Sequence, residues 1–454
     1  MRKEREEGLS LVDVLWRLRT KVLLNHHDEE CVDFLPWLER KAGAEISSKL
    51  YVGKSACGRS LFASKSIKTG DCILRVPYNV QIAPVNLLPK VASLLDNETG
   101  NVAKLATIIL TEQKRGQESE WAPYISCLPQ PGEMHSTVCT IFWSKSELEM
   151  IHQSTVYQET IKEKYQIKKD FLKIKAALDH SPEIFDSITL EDFMHAYALV
   201  RSRAWGSTRG VSLIPFADFA NHDGVSEAFI INDEDKQVIA DRDFAPHEEV
   251  LIRYGKFSNA TLLLEFGFIV PDNIHDQVQI HVDIPNHDFL GEMKLDVLRM
   301  HHLPTTRYAN DSEFSGDSFI IKEVRSPRGK GKGLPQSLRA FARVLCCNSS
   351  QELIDLAMEA AQNDGRLARR PFKDSSREIQ AHEILLSRII HLIKEYNASM
   401  KSLEPVAPSA CKRFALRRQM ALDLLAGELR VLESAYTWLN NYCATLLQHS
   451  TTND

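Results

Sequence analysis

The side chains able to do chemistry gather in one stretch, residues 213–268. Asp218-Phe219-Ala220-Asn221-His222 puts a carboxylate, an amide and an imidazole directly behind an apolar run. Residues 249–254 (EVLIRY) alternate as a strand does and stop at Tyr254-Gly255, where glycine supplies the freedom for a turn. Residues 258–266 have helical spacing and close on Gly267, a helix stop, just before Phe268. A phenol at a strand end is a polar group that adds no charge, suited to orienting an amine in a dry site. The histidine pairs His26-His27 and His301-His302 have no companion ligands at metal spacing. The glycine fingerprint and βαβ pattern of a dinucleotide binder are missing from the sequence.

The elements that must position these residues can be read outwards from them. Residues 228–232 and 238–240 read as a strand pair about the acidic turn Asp233-Glu234-Asp235. Upstream, residues 60–64, 72–76 and 79–82 read as short strands, after a helix that starts at Phe34 (FLPWLERKAG). Cys57-Gly58-Arg59 before the first of them is a turn without the spacing of a phosphate cradle. Residues 85–198 read as mostly helical, broken by a loop with Trp121, Pro123 and Tyr124 and resuming at 146–178 and 189–199. The last of these helices delivers Arg201-Ser202-Arg203-Ala204-Trp205. Beyond Pro271 a linker-like stretch leads to a helix-rich third, with apolar helical stripes at 385–396 and 421–439. Residues 325–333 (RSPRGKGKG) hold four cations and no acid, either a solvated loop or a contact for an acidic partner. Leu11, Leu15, Leu18 and Val22 predict an amphipathic opening helix.

A chain of 454 residues predicts two or three domains. Its 43% hydrophobic and 26% charged content is that of a soluble globular protein. Net charge of −6 and a pI near 6.3 argue against nucleic acid or an anionic membrane as partner. The nine cysteines include no Cys-x-x-Cys pair, so a reduced compartment is expected, with most of them acting as small hydrophobes and Cys346-Cys347 packed in the core of an apolar helical run. Charges interrupt the N-terminal apolar stripe, and acids there match bases, unlike a secretory or transit peptide. A monomer in cytoplasm or nucleus is expected, with a plastid location still open.

Asn221-His222 in an Asp-x-x-Asn-His arrangement, Tyr254-Gly255 leading to Ser258-Asn259, and Phe266-Gly267-Phe268 follow one another in a telling order. That order resembles the SET-domain methyltransferases, in the branch of the Rubisco large-subunit lysine methyltransferase. The resemblance covers residues 34 to 447 and implies an α+β fold. In it a β-rich SET domain at 34–275 is split by a helical insertion at about 85–200. It follows an N-terminal helix at 1–33 and precedes an all-helical substrate-binding domain at 276–454. It also implies S-adenosylmethionine as methyl donor, met by the turn Cys57-Gly58-Arg59 and held by Asn221 and His222. Arg203 would face the donor's carboxylate, Phe268 would cover adenine, and Tyr254 would be the catalytic tyrosine, also touching the donor. Ser202, Trp205, Asp218 and Phe266 would line the pocket of a protein substrate. Many relatives have Tyr-Gly-Phe where this chain has Phe266-Gly267-Phe268, which leaves the number of methyl groups added open.

Methyl transfer needs a neutral amine, held in line with the donor methyl. A free lysine, with a pKa of about 10.4, costs about 4.6 kcal/mol to deprotonate at pH 7. A closed apolar channel lowers that cost, and a nearby carboxylate raises it. A lysine acceptor on a non-histone protein is expected. One alternative is histidine methylation, as in an actin-modifying branch that shapes an imidazole pocket with an Asn and a Trp. The aligned positions here are Trp205 and Ala217, which favours lysine. The other alternative is a SET-fold binding protein without activity.

Overall fold

The computed structural model describes residues 28, 31–55, 58–95, 98–131, 139–179, 188–207, 210–231, 235–301, 316–403 and 412–451. The opening helix expected at residues 11–22, His26-His27, Cys57, Asp233-Glu234 and His302 lie outside them. Among the described residues no helix is long and apolar enough to cross a membrane. The chain falls into two compact units. The first gathers the described residues up to Trp143 with Glu159–Phe257 and Thr261–Pro271. The second gathers Ser144–Gln158, Ser258–Ala260 and the described residues from Asp272 onward.

In the first unit, helix α1 (Phe34–Ala42) buries Phe34 and Leu38 and stops at Gly43, whose φ of 67° few other residues adopt. Strands β1 (Leu50–Ser55) and β2 (Gly58–Ala63) form an antiparallel hairpin, and β3 is Cys72–Val76. The longer helices α2 (Asn101–Arg115), α3 (Ala122–Cys127), α4 (Thr155–Leu178, in this unit from Glu159) and α5 (Leu190–Arg203) follow. Then come the hairpin of β4 (Trp205–Ser207) and β5 (Gly210–Ser212), and strands β6 (Ile230–Ile231), β7 (Lys236–Ile239) and β8 (Glu249–Val250). β8 pairs with β2, and β7 lies between β3 and β6. One core of Leu61, Ile73, Ile109, Phe193, Ile214 and Val250 lies beneath these small sheets and helices.

Several local expectations fail for identifiable reasons. Residues 79–82 are not a strand: Pro77 opens a 3₁₀ turn at Tyr78–Val80, and only Ile82 bridges to Leu213. The loop expected around Pro123 is α3, which tolerates proline in its first turn because no N–H is needed there. Helix 146–178 is two pieces, Lys145–Glu149 and α4. α5 runs on to Arg203, past the expected end at 199, with cations in the last turn where the helix dipole favours them. Its start is fixed by a capping box between Thr189 and Asp192. Cys31 and Cys127 form a disulfide, with Cα atoms 6.1 Å apart, so the reduced-cysteine expectation fails for that pair. Cys346 and Cys347 are buried, as expected, but they follow the helix that ends at Leu345 instead of lying in it.

In the second unit the stretch beyond Pro271 is no linker. β9 (Gln277–Asp283) pairs antiparallel with β10 (Gly316–Lys322), and Val278, Ile280 and Val282 alternate inward. Its longer helices among the described residues are α6 (Gly291–Met300), α7 (Gln336–Leu345), α8 (Ser350–Gln362), α9 (Ser375–Ser402) and α10 (Lys412–Thr451). Leu338, Phe341, Leu385, Ile389, Leu425 and Leu432 form their common core.

Within that unit, Glu428 on α10 is buried, and the hydroxyls of Ser154 and Tyr396 donate to its carboxylate at 2.8 and 2.9 Å. Burial pushes its pKa up to about 7, against the pull of the two donors. The folded chain therefore holds this proton more tightly than the unfolded one, whose glutamates titrate at about 4.3. The stabilising effect is complete below that lower value and is lost as pH rises through about 7. Glu428→Gln keeps an oxygen acceptor and removes the charge. Thermal melts from about pH 5 to about pH 8 should show the wild-type midpoint falling more than the variant's; parallel slopes would remove Glu428 as the titrating group.

Candidate active site

Two backbone segments outside any regular sheet build the site. Phe216, with φ of 77°, holds a backbone shape that side chains rarely tolerate and turns the chain into the 3₁₀ turn Ala217–Phe219. Just beyond, the Asn221 carbonyl accepts the Ile252 N–H at 2.9 Å, and the Asp223 N–H donates to the Ile252 carbonyl at 2.9 Å. His222 and Ile252 thereby form a parallel bridge. The strand expected over 249–254 consequently ends at Val250, because the next backbone groups are taken up elsewhere. The Arg253 N–H, for instance, goes to the Ala228 carbonyl at 2.7 Å.

Tyr254 is held at both ends. Its N–H donates to His222 Nδ1 at 3.1 Å, which requires that nitrogen to be unprotonated. Its hydroxyl donates to the Ala220 carbonyl at 2.8 Å. Trp205 meets its ring edge-on at 5.5 Å between centroids, and Phe266 and His222 lie at 5.0 and 5.1 Å. Phe268 stands at 6.4 Å and packs on His222 as well. Gly255 is needed for space: a Cβ there would run into the Phe257 ring.

Asn221 ties the glycine turn to this centre. Its Nδ2 donates to the Arg59 carbonyl and to Glu249 Oε1, both at 3.3 Å. Gly58 has φ of 98°, the conformation that favours glycine. The Arg59 side chain points away, with Nε on Asp28 at 2.6 Å and Nη1 on the Cys127 carbonyl at 3.0 Å. The Arg59 contact with Asn221 is made by its backbone carbonyl. Arg203 ends α5 with a buried Nε that has no hydrogen-bond partner among the described residues. Its charge is felt by Asp218, which is buried and accepts the Tyr124 hydroxyl at 2.5 Å. Burial lifts the Asp218 carboxyl to about 6, against Arg203 and that hydrogen bond.

The structure thus brings Asn221, His222, Tyr254, Phe266, Phe268, Trp205 and the Arg59 backbone together. The contacts that the structure gives Ser202 and Asp218 are with other groups. Ser202 Oγ is spent on the Ala198 and Leu199 carbonyls of its own helix. Asp218 belongs to the aromatic core of Phe34, Tyr124, Phe216 and Phe219. Sequence reasoning missed the Ala220 carbonyl, because a backbone acceptor carries no residue signature. It also missed Arg201, which donates to Glu265 at 2.5 Å and meets Glu163 at 3.3 Å. That pairing straps α5 to the π-helical turn Leu262–Phe266, where the spacing predicts an ordinary helix. Burial pushes Glu163 up to about 7 in spite of Arg201.

A SET domain model matches residues 58–255, and a Rubisco LSMT substrate-binding model matches residues 285–432. The chain is 25% identical over 460 residues to the actin-histidine N-methyltransferase of Homo sapiens, covering 95% of this chain and 73% of that protein. It is 28% identical over 432 residues to the chloroplastic [fructose-bisphosphate aldolase]-lysine N-methyltransferase of Arabidopsis thaliana, covering 89% and 82%. A solved structure of Rubisco LSMT bound to AdoMet superposes with a TM-score of 0.70 at 22% identity, covering 93% and 94% of the two chains.

Tyr124 gives this site a test that needs no substrate. Tyr124→Phe leaves a buried carboxylate without its hydroxyl donor, at an expected cost of about 1–3 kcal/mol. Denaturant unfolding should show that loss; unchanged stability would mean that Asp218 does not depend on Tyr124.

Proposed function

Because the chain joins a SET domain to a Rubisco LSMT-type substrate-binding domain and so belongs to that branch of the SET-domain methyltransferases, we propose that it is an S-adenosylmethionine-dependent protein-lysine N-methyltransferase with a non-histone protein as substrate. The observation that carries this reading is Tyr254, a neutral phenol pinned to the Ala220 carbonyl and surrounded by Trp205, His222, Phe266 and Phe268.

The residues present fit the donor. The orphaned Nε of Arg203 offers a charge-assisted hydrogen bond to a carboxylate. Asn221 and the Gly58–Arg59 backbone offer polar contacts, and Phe268 against His222 offers an aromatic surface for a planar base. S-adenosylmethionine, when bound, supplies a methyl group on a positively charged sulfur. Among the chain's own groups, the Tyr254 hydroxyl donates its proton to Ala220, and its oxygen can still act as an acceptor. It can then accept an N–H of the incoming amine and hold the nitrogen lone pair on line. The aromatic rings exclude water and favour the neutral amine.

Trp205 and Ala217 support lysine over histidine. Trp205 fills the flank of Tyr254 with an indole, and Ala217 is buried in its turn with no group to hold an imidazole. Labelled methyl transfer to an extract lacking this protein, followed by site mapping, tests the acceptor. Methyl-histidine at the mapped site would replace lysine by the histidine reading.

Tyr254→Phe should fold and bind S-adenosylmethionine normally but lose turnover by about a hundredfold or more. Wild-type turnover would remove Tyr254 from the reaction.

Phe266→Tyr should shift products toward monomethyl-lysine. Phe266 lies 5.0 Å from the Tyr254 ring, and a hydroxyl there adds a hydrogen bond that restrains the nitrogen after one round. Mass spectrometry of the modified peptide at matched turnover reads this; identical product distributions would confine Phe266 to packing.

A further inference from the structure

The cationic loop at residues 325–333 is pinned, not merely solvated. Trp438 Nε1 donates to the Gly329 carbonyl at 2.8 Å, Asn441 Nδ2 to the Pro327 carbonyl at 3.3 Å, and the Lys322 N–H to the Gly333 carbonyl at 2.9 Å. Gly331, with φ of 67°, lies so close to Trp438 that a Cβ would sit 2.6 Å from the ring. The glycines let the backbone hug the indole while Arg328, Lys330 and Lys332 between them stay exposed or nearly so along the loop. Among the described residues none of these three makes an ion pair.

A ladder of rings and charges joins this loop to a second cationic one. The Arg339 guanidinium lies 5.4 Å from the centre of the Trp438 ring, and its buried Nε has no hydrogen-bond partner among the described residues. Tyr442 stacks on Trp438 at 5.0 Å and donates to Glu378 at 3.2 Å. Arg343, one turn after Arg339, grips Glu378 with two hydrogen bonds of 2.9 and 2.6 Å and donates to the Ala368 carbonyl at 2.7 Å. That last bond anchors Ala368 within residues 366–373, where Arg366, Arg369 and Lys373 are exposed. Glu378 also accepts the Phe372 N–H, so the ladder's one carboxylate is fully used inside.

We propose that this doubly cationic face captures an acidic segment of the acceptor protein, an inference that rests on the methyl-transfer reading only for the identity of the partner. The exposed groups are guanidinium and ammonium donors, which match carboxylates. Trp438 is buried, and neither loop exposes a large apolar side chain. Bases would find no ring to stack on, and a lipid surface no wedge to receive. The chain's net charge of −6 also repels a long polyanion while tolerating a short acidic run.

The test is fluorescence anisotropy of the full chain with a labelled peptide of alternating glutamate and serine, beside a glutamine version. Replacing Arg328, Lys330 and Lys332 by serine, or Arg366, Arg369 and Lys373 by serine, should each weaken peptide binding at least about fivefold. Added salt should weaken it further, and the glutamine peptide should not bind. Equal melting midpoints will certify that the variants fold. No binding, or binding that either set leaves unchanged, overturns the proposal. Single-stranded RNA or phosphatidylserine vesicles held more tightly than the peptide, and released by the same variants, overturn it in favour of those partners. Binding is read without donor or turnover. A protein active in methyl transfer that ignores the peptide therefore overturns this surface alone, and an inactive one that binds it overturns only the methyl-transfer reading.

Discussion

Three hydrogen bonds between residues 221–223 and 252–254 govern the site. Ile252 exchanges both of its backbone groups with Asn221 and Asp223, and the Tyr254 N–H closes on His222 Nδ1. Each bond is worth only about 0.5–1.5 kcal/mol net, but leaving such groups unmade in a buried place costs more. The segment after β8 therefore cannot extend the sheet without orphaning them. β8 itself stays on β2, so one short run joins the glycine turn at Gly58 to the phenol at Tyr254. Residues far apart in the chain are assembled by backbone geometry, and side chains such as Asn221 then lock the result.

The carboxylates buried in this unit are held by groups on neighbouring elements. Asp218 is buried beside Tyr124 and Arg203, and Glu163 and Glu265 are engaged by Arg201. Aromatic rings attract a cation by about 0.5–2 kcal/mol. Burying an ammonium group shifts its pKa by up to about 3–5 units, or about 4–7 kcal/mol. Desolvation is the larger effect, so an ammonium group placed among such rings is pushed toward its neutral form.

The sequence is most legible where pattern and structure share a period. Cys72–Val76 is a strand as its alternation says, the Phe34 helix ends at a glycine, and Gly267 closes its turn with φ of 75°. The motif residues Asn221, His222, Tyr254 and Phe268 do meet. Features made by non-local contact or by strain are illegible. Nothing in LIPF announces a φ of 77° at Phe216, and nothing in a carboxylate's neighbours says that Tyr124, 94 residues away, will claim Asp218. Residues 277–283 pass for linker despite clear alternation, because prolines and acids surround them.

The π-helical turn shows why Phe266 faces where it does. An α-helix advances each residue by about 100°, so the spacing of Leu262, Leu263 and Phe266 predicts one apolar stripe turned to the core. The Gly267 N–H instead reaches back five residues to the Leu262 carbonyl at 2.8 Å. One residue more in the turn swings the later side chains away from that stripe, a distortion often found at functional sites. Leu262 and Leu263 keep the core, while Phe266 is only half-buried and meets Tyr254. The Arg201–Glu265 pair ties the last residues of the wider turn to α5. Phe266 thus owes its place to the widened turn, whose last residues are held by an ion pair between residues 64 apart in sequence.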